Sequence, residues 1–200
     1  MVNIFLSASI PQKERDAKYF ETADVIAIRD AVRALATAVI PKAHLYWGGH
    51  PSITPLVRDI SLQLNKDVAS LRAHVTLYQS RFYEKNFPKD NLDFEDVQLI
   101  AAGPDKATSD RLMREAMLAG KKFAAGIFIG GMEGVEAEFD MFRERYRNAP
   151  VFPVASTGGG AKILFERMTK EQTQPPDPRL LTDYAYLSLL KDLLKPYADL

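Results

Sequence analysis

Apolar residues fall in short runs along the chain, each closed by small or polar residues: "NIFLSAS", "AHLYWGG", "AHVTLYQS", "VQLIAAG", "AAGIFIGG" and "PVFPVAS". Between these runs the period changes. Val25, Ile28, Val32, Leu35 and Val39 recur at alternating steps of three and four, which puts them on one face of a helix. That helix is entered at Thr22, with Asp24 in its first turn, and is ended by Pro41. The same reasoning predicts a helix from Ser52 to Leu64 and another from Ser109 to Leu118 with Leu112, Met113, Ala116 and Met117 inward. A further helix carries Val135, Phe139, Phe142 and Tyr146. Strand-like runs alternating with helices predict an α/β three-layer sandwich, with a mainly parallel six-stranded sheet and helices on both faces, because parallel neighbours need crossover connections.

Two stretches depart from the alternation. "YQSRFYEKNFPKDNLDFED" mixes charged, aromatic and proline residues and is expected to be a loop that overhangs the sheet edge. "MTKEQTQPPDPRLL" reads as a linker, since its prolines exclude a helix. After it, "DYAYLSLLKDLLKPY" is amphipathic, with Leu187, Leu190 and Leu194 at helical spacing. The expected organisation is one domain over residues 1–170, followed by a linker and helix over 171–200 that pack on the domain or on a partner chain.

Composition narrows the function classes. Lysine plus arginine and aspartate plus glutamate both number 26, so no global field draws the chain to nucleic acid or to an anionic membrane. The absence of cysteine excludes disulfides and a thiolate nucleophile and fits a reducing, cytoplasmic compartment. No apolar run approaches the roughly 20 residues that span a bilayer. With three histidines, none at ligand spacing, neither a metal nor a cofactor is expected.

Chemistry concentrates at four strand ends: Ser7-Ala8-Ser9, Gly48-Gly49-His50, Gly130-Gly131 with Gly134, and Ser156-Thr157-Gly158-Gly159-Gly160. In an open parallel sheet ligands sit at the carboxyl ends of the strands. Glycine there lets main-chain amides approach a bulky anion, and the helix that follows adds a partial positive charge. Neither the dinucleotide G-x-G-x-x-G fingerprint nor the P-loop pattern is present. Glu138 lies three residues after Val135 and four before Phe142, at the edge of the apolar face of its helix. A carboxylate placed there pairs with a cation or is a poised acid or base beside a ligand. Arg114, on the preceding helix, is the expected counter-charge, and a solvent-exposed arginine is the alternative.

These residues resemble a known group. "AAGIFIGGMEGVEAEF" is similar to the P-G-G-x-G-T-x-x-E segment of the Lonely-guy family and of the wider SLOG superfamily of Rossmann-like proteins. "LYWGGHPSITPLV" resembles the second-strand turn of that group, and "IFLSAS" its first strand. Arg114 stands where those enzymes carry an arginine upstream of the glycine motif, and Glu138 takes the place of the motif glutamate. Ile129 replaces the motif proline, Val135 replaces its threonine, and Glu133 is an extra residue before Gly134.

The resemblance implies a binding module for a nucleotide, NAD-type or ADP-ribose-type messenger, of the sensor kind found in prokaryotic antiviral systems. The expected contacts are Ser7, Ala8, Ser9, Gly48, Gly49, His50, Gly130, Gly131, Met132, Glu133, Gly134, Val135, Thr157, Gly158 and Gly159, with Arg15 and Arg81 as lesser contributors. Two other classes stay open. One is a phosphoribohydrolase, in which Glu138 stabilises an oxocarbenium-like ribosyl centre or activates water while Arg114 holds the 5′-phosphate. The other is an interaction domain whose glycine turns merely connect strands. Family members commonly form homodimers or higher homo-oligomers, and no nucleic-acid or membrane partner is expected.

Overall fold

The computed structural model of the chain describes residues 1–65, 74–171 and 175–198. Six parallel strands form one sheet: β1 (Val2–Ser9), β2 (Ala43–Gly48), β3 (Val75–Ser80), β4 (Asp96–Ile100), β5 (Phe123–Gly130) and β6 (Val151–Val154), in the order β4-β3-β2-β1-β5-β6. The helices are α1 (Ala17–Phe20), α2 (Val25–Val39), α3 (Thr54–Asn65), α4 (Lys106–Leu118), α5 (Glu133–Arg145), α6 (Gly159–Glu171), α7 (Arg179–Thr182) and α8 (Tyr186–Leu194). The fold is the expected three-layer α/β sandwich.

Side chains alternate across β1 with the period of two that a pleated strand imposes. Ile4, Leu6 and Ala8 enter a core with Trp47, Leu77 and Ile127 under α2, α3 and α8. Phe5 points the other way, into an aromatic core under α4, α5 and α6. There Phe5 stacks on Phe142 at 5.2 Å, and Phe128 meets Phe139 edge-on at 5.0 Å. Each such ring, buried in full, contributes about 2–3 kcal/mol relative to exposure. The rigid floor of the sheet rests on these two cores.

Several boundaries differ from the sequence-based expectation, each for a local reason. Asp24 is the cap of α2 rather than a first-turn residue: its carboxylate accepts from the Ala27 amide at 2.9 Å. Asp105 likewise accepts from Thr108 N at 2.8 Å, so α4 starts at Lys106 instead of Ser109. Its buried positions are then Ser109, Asp110, Met117 and Leu118, while Leu112, Met113 and Ala116 are half-buried. Helix α6 runs on to Glu171 through Met168 and Lys170, which had been assigned to the linker, and residues 172–174 of that stretch lie outside the described residues. In the third apolar run, Ala73 also lies outside them. Helix α8 buries Tyr186, Leu189, Leu190, Leu193 and Leu194 against α2, which leaves Leu187 on the outer side.

Between β3 and β4 the chain makes two 3₁₀ turns, Arg81–Asn86 and Lys89–Asp93. The Ser80 hydroxyl accepts from Phe82 N at 3.3 Å at the start of the first. Arg58 of α3 pairs with Asp90 at 3.4 Å and also with Asp93, tying the second turn to the body of the domain. The loop therefore stands over the carboxyl edge of the sheet on a fixed support.

Candidate functional site

The chain leaves β1 for β2, β3 and β4 on one side and returns to β5 on the other. At such a reversal the connections at the carboxyl ends diverge and leave a crevice. A cleft of about 530 Å³ lies there. Its walls are Ser7, Ala8 and Ser9 from β1, Gln12 and Arg15 beyond it, Gly48 to Pro51 from the end of β2, and Gln79 from β3. Tyr83 and Asn86 to Pro88 of the overhanging loop, Lys106, Asp110, Met113 and Arg114 of α4, and Met132 to Val135 with Glu138 of α5 complete it.

Arg114 and Glu138 meet across this cleft. Arg114 Nε lies 3.4 Å from Glu138 Oε1, and their side chains are 18% and 12% exposed. Burial pushes the Glu138 carboxyl above the ordinary glutamate value; the Arg114 charge opposes that shift without cancelling it. The nearby Ser7 hydroxyl also favours the carboxylate, yet it completes no hydrogen bond of regular geometry. The guanidinium packs against the backbone of α5 at Gly134, where a β-carbon would stand 3.2 Å from Arg114 Nη2.

The start of α5 is open. Met132 occupies the cap position and its side chain makes no capping hydrogen bond. The first-turn acids are paired: Glu133 with Arg15 at the cleft wall, and Glu136 with Lys18 and with the Tyr19 hydroxyl, which donates at 2.6 Å. The helix start thus adds its partial positive charge to the cleft, with each first-turn acid already paired to a cation.

Two buried polar atoms of the cleft-lining residues, Ser7 Oγ and Gln79 Nε2, have no hydrogen-bond partner of regular geometry among the described residues. Such groups are expensive to leave unmade in a closed interior.

The glycine pair plays a different part from the one the sequence suggests. Gly131 has a φ of +83°, which an L-residue rarely adopts, and its amide donates to the Ser9 carbonyl at 2.8 Å. The Gly130 amide donates to Thr157 Oγ1 at 2.9 Å. Both amides are taken up within the protein, and neither glycine lines the cleft. The fourth strand end is also structural. Thr157 is fully buried and donates to the Val154 carbonyl at 2.5 Å. The Gly158 amide donates to Ala155 O at 2.9 Å, and that of Gly159 to Thr22 Oγ1 at 3.0 Å. Thr157, Gly158 and Gly159 brace the floor behind β5 and do not line the cleft. Neither does Arg81, which pairs with Glu84 at 2.9 Å on the outer side of its 3₁₀ turn.

His50 lines the cleft with Nδ1 at 2.7 Å from Ser52 Oγ. Burial, with Arg15 adding to it, pushes its pKa down, so the ring is neutral at neutral pH. Arg15 pairs with Glu133 in a half-exposed position, where solvent leaves such a pair weak and able to open. Among the described residues no group of three or more histidine, aspartate or glutamate side chains is arranged to hold a metal ion. No helix among them is long and apolar enough to cross a membrane.

Against this geometry, the sequence pattern of the SLOG cluster3 family matches residues 18–194. The chain belongs to the SLOG cluster3 family. No curated protein matches it. The X-ray structure of TM1055 superposes with a TM-score of 0.53 at 12% identity, covering 96% of this chain and 99% of that one, a likeness of fold alone. In this SLOG cluster3 chain the residues missed from sequence come mainly from the overhanging loop and α4. Tyr83 donates to Asp110 Oδ1 at 2.7 Å, and Lys106 donates to Asp110 Oδ2 at 2.7 Å. Lys106 and Asp110 stand four apart, a spacing that signals a helical pair, but the late start assigned to that helix hid it. Gln79, a carboxamide at the end of an apolar strand run, was the other available signal.

Proposed function

We propose that this SLOG cluster3 protein binds a nucleotide-derived small molecule, with a phosphate at the start of α5 and the sugar over Ser7, Arg114 and Glu138. The observation that carries the reading is the uncapped helix start opening into a cleft beside buried polar groups that lack partners. The cleft is lined by three cations, Arg15, Lys106 and Arg114, and by three carboxylates, Asp110, Glu133 and Glu138. That balance favours one phosphate or a pyrophosphate, held by oriented dipoles, over a highly charged triphosphate. Its volume is in the range of about 300–1,000 Å³ that pockets for small molecules occupy. A sensor role in antiviral signalling is part of the same proposal, and rests on the family.

A second reading is supported by Glu138, whose buried carboxyl is held above the ordinary glutamate pKa. A buried carboxylate beside a ribosyl centre suits cleavage of an N-glycosidic bond. The experiment is a thermal melt against AMP, NAD, ADP-ribose and cyclic ADP-ribose, with chromatography of the same mixtures. At 100 times its dissociation constant a ligand adds about 2.7 kcal/mol. A melting shift without products, reduced in Ser7→Ala, is the expected result for a sensor. Release of free base that stops in Glu138→Gln establishes the hydrolase. No shift with any of the compounds refutes the nucleotide reading.

A further inference from the structure

We propose that Gln79 is the specificity-determining residue of this cleft: its carboxamide nitrogen donates to a carbonyl or ring-nitrogen acceptor on the heterocycle of the ligand. This inference rests on the nucleotide reading above and extends it to the ring end of the molecule.

Gln79 is 4% exposed, and its Nε2 is buried without a partner. An amide nitrogen has hydrogens to donate and cannot accept, so what it lacks is an acceptor. The carboxamide is held in place by packing. It lies directly over Gly49, where a β-carbon would collide with it and would stand 2.5 Å from Leu77 Cδ1. The bare backbone at position 49 thus leaves room for a carboxamide whose nitrogen has no hydrogen-bond partner among the described residues.

Its position along the cleft separates it from the anion end. Gln79 is at the end of β3, while the start of α5 follows β5, and β2 and β1 lie between. Three strand spacings amount to about 14 Å, more than a ribose phosphate covers and suited to one that carries a ring. The neighbouring walls are aromatic: Tyr83 and Phe87 both line the cleft. Tyr83 is fixed by its 2.7 Å bond to Asp110, which Lys106 holds in turn. A rigid aromatic wall beside a single buried donor suits a flat heterocycle with an acceptor on its edge.

The test measures binding of ribose 5-phosphate, AMP, GMP, UMP and nicotinamide mononucleotide to wild type, Gln79→Leu and Gln79→Met by calorimetry, with melts of the unliganded proteins. In wild type, at least one ring-bearing compound is expected to bind tenfold or more tightly than ribose 5-phosphate. Both variants should abolish most of that advantage, leave ribose 5-phosphate unchanged, and melt at or above the wild-type temperature, because a buried donor without a partner has been removed. A ring advantage that persists in both variants, or its absence in wild type that still binds ribose 5-phosphate, overturns the role of Gln79 and leaves the nucleotide reading intact. Failure of every compound to bind wild type overturns both. Loss of folding in both variants would make Gln79 a structural residue, against the proposal.

Discussion

Replacing Arg114 with methionine isolates the charge of the pair with Glu138. Methionine fills much of the guanidinium volume, so the change removes the counter-charge without opening a large cavity. In the native protein the two groups are 3.4 Å apart with side chains 18% and 12% exposed. Stripping one partner from a buried ion pair costs about 3–5 kcal/mol, and the residual exposure places Arg114→Met near the low end, about 3 kcal/mol at neutral pH. For a protein of this size each kcal/mol moves the melting temperature by about 2–4 °C, so the expected fall is about 6–12 °C. The pH dependence gives the sharper test. Burial already raises the Glu138 pKa above the ordinary value, with Arg114 opposing. A group raised on folding contributes its stability fully below the unfolded pKa and loses it as pH rises through the folded pKa. Removing Arg114 raises the folded value further, so the deficit of the variant must shrink on acidification from neutral pH towards the ordinary glutamate range. Adding Glu138→Gln should restore most of the stability at neutral pH and flatten the profile. Urea melts of wild type and of the single and double variants, taken at neutral pH and at successively lower pH towards the ordinary glutamate range, read both effects. Equal instability of the two variants at neutral pH, or an Arg114→Met deficit that does not change with pH, refutes the account.

Two further substitutions separate the site from its support. Gly134→Ala places a methyl group 3.2 Å from Arg114 Nη2 while improving helix propensity by about 0.5–1 kcal/mol. Unliganded melting should stay level or rise while the ligand-induced shift falls, and a clear drop in unliganded stability would contradict this. Thr157→Val leaves the Gly130 amide without its 2.9 Å acceptor, at a cost of about 1–3 kcal/mol. Urea denaturation should show that loss with ligand affinity at the wild-type level, since Thr157 lies outside the cleft; weakened binding at preserved stability would place it back in the site.

Much of this architecture was legible because its periodicities are clean. Val25 to Val39 alternates by threes and fours, and all but Val25 of the five marked positions are buried in the helix. The SLOG resemblance, carried by Gly130 to Glu138, is borne out by the family match. What could not be read was the outcome of competition among polar groups. Asp24 and Asp105 were free to sit inside or before their helices, and only the pairing with Ala27 N and Thr108 N decides that they cap. The strand order is equally silent in the sequence. Right-handed crossovers limit the topologies without choosing which side of β1 receives β5, and the position of the cleft follows from that choice.

The glycine pair shows most directly why a motif underdetermines its site. The same Gly130 and Gly131 that allow an anion to approach also allow the backbone to turn back on Ser9 and Thr157, and here the second use takes both amides. Val135, in place of a threonine, brings no hydroxyl to replace them. In the proposed binding mode the anion-binding element therefore moves into the first turn of α5. There the extra residue, Glu133, would oppose an anion if its carboxylate lay against the helix start. Arg15 pairs with it at the cleft wall, and Lys18 and Tyr19 pair with Glu136. The loop and short helix after β1 thus act on the site without forming its floor: by pairing with two acids, they let the helix dipole add a positive field to a cleft whose side-chain charges otherwise balance.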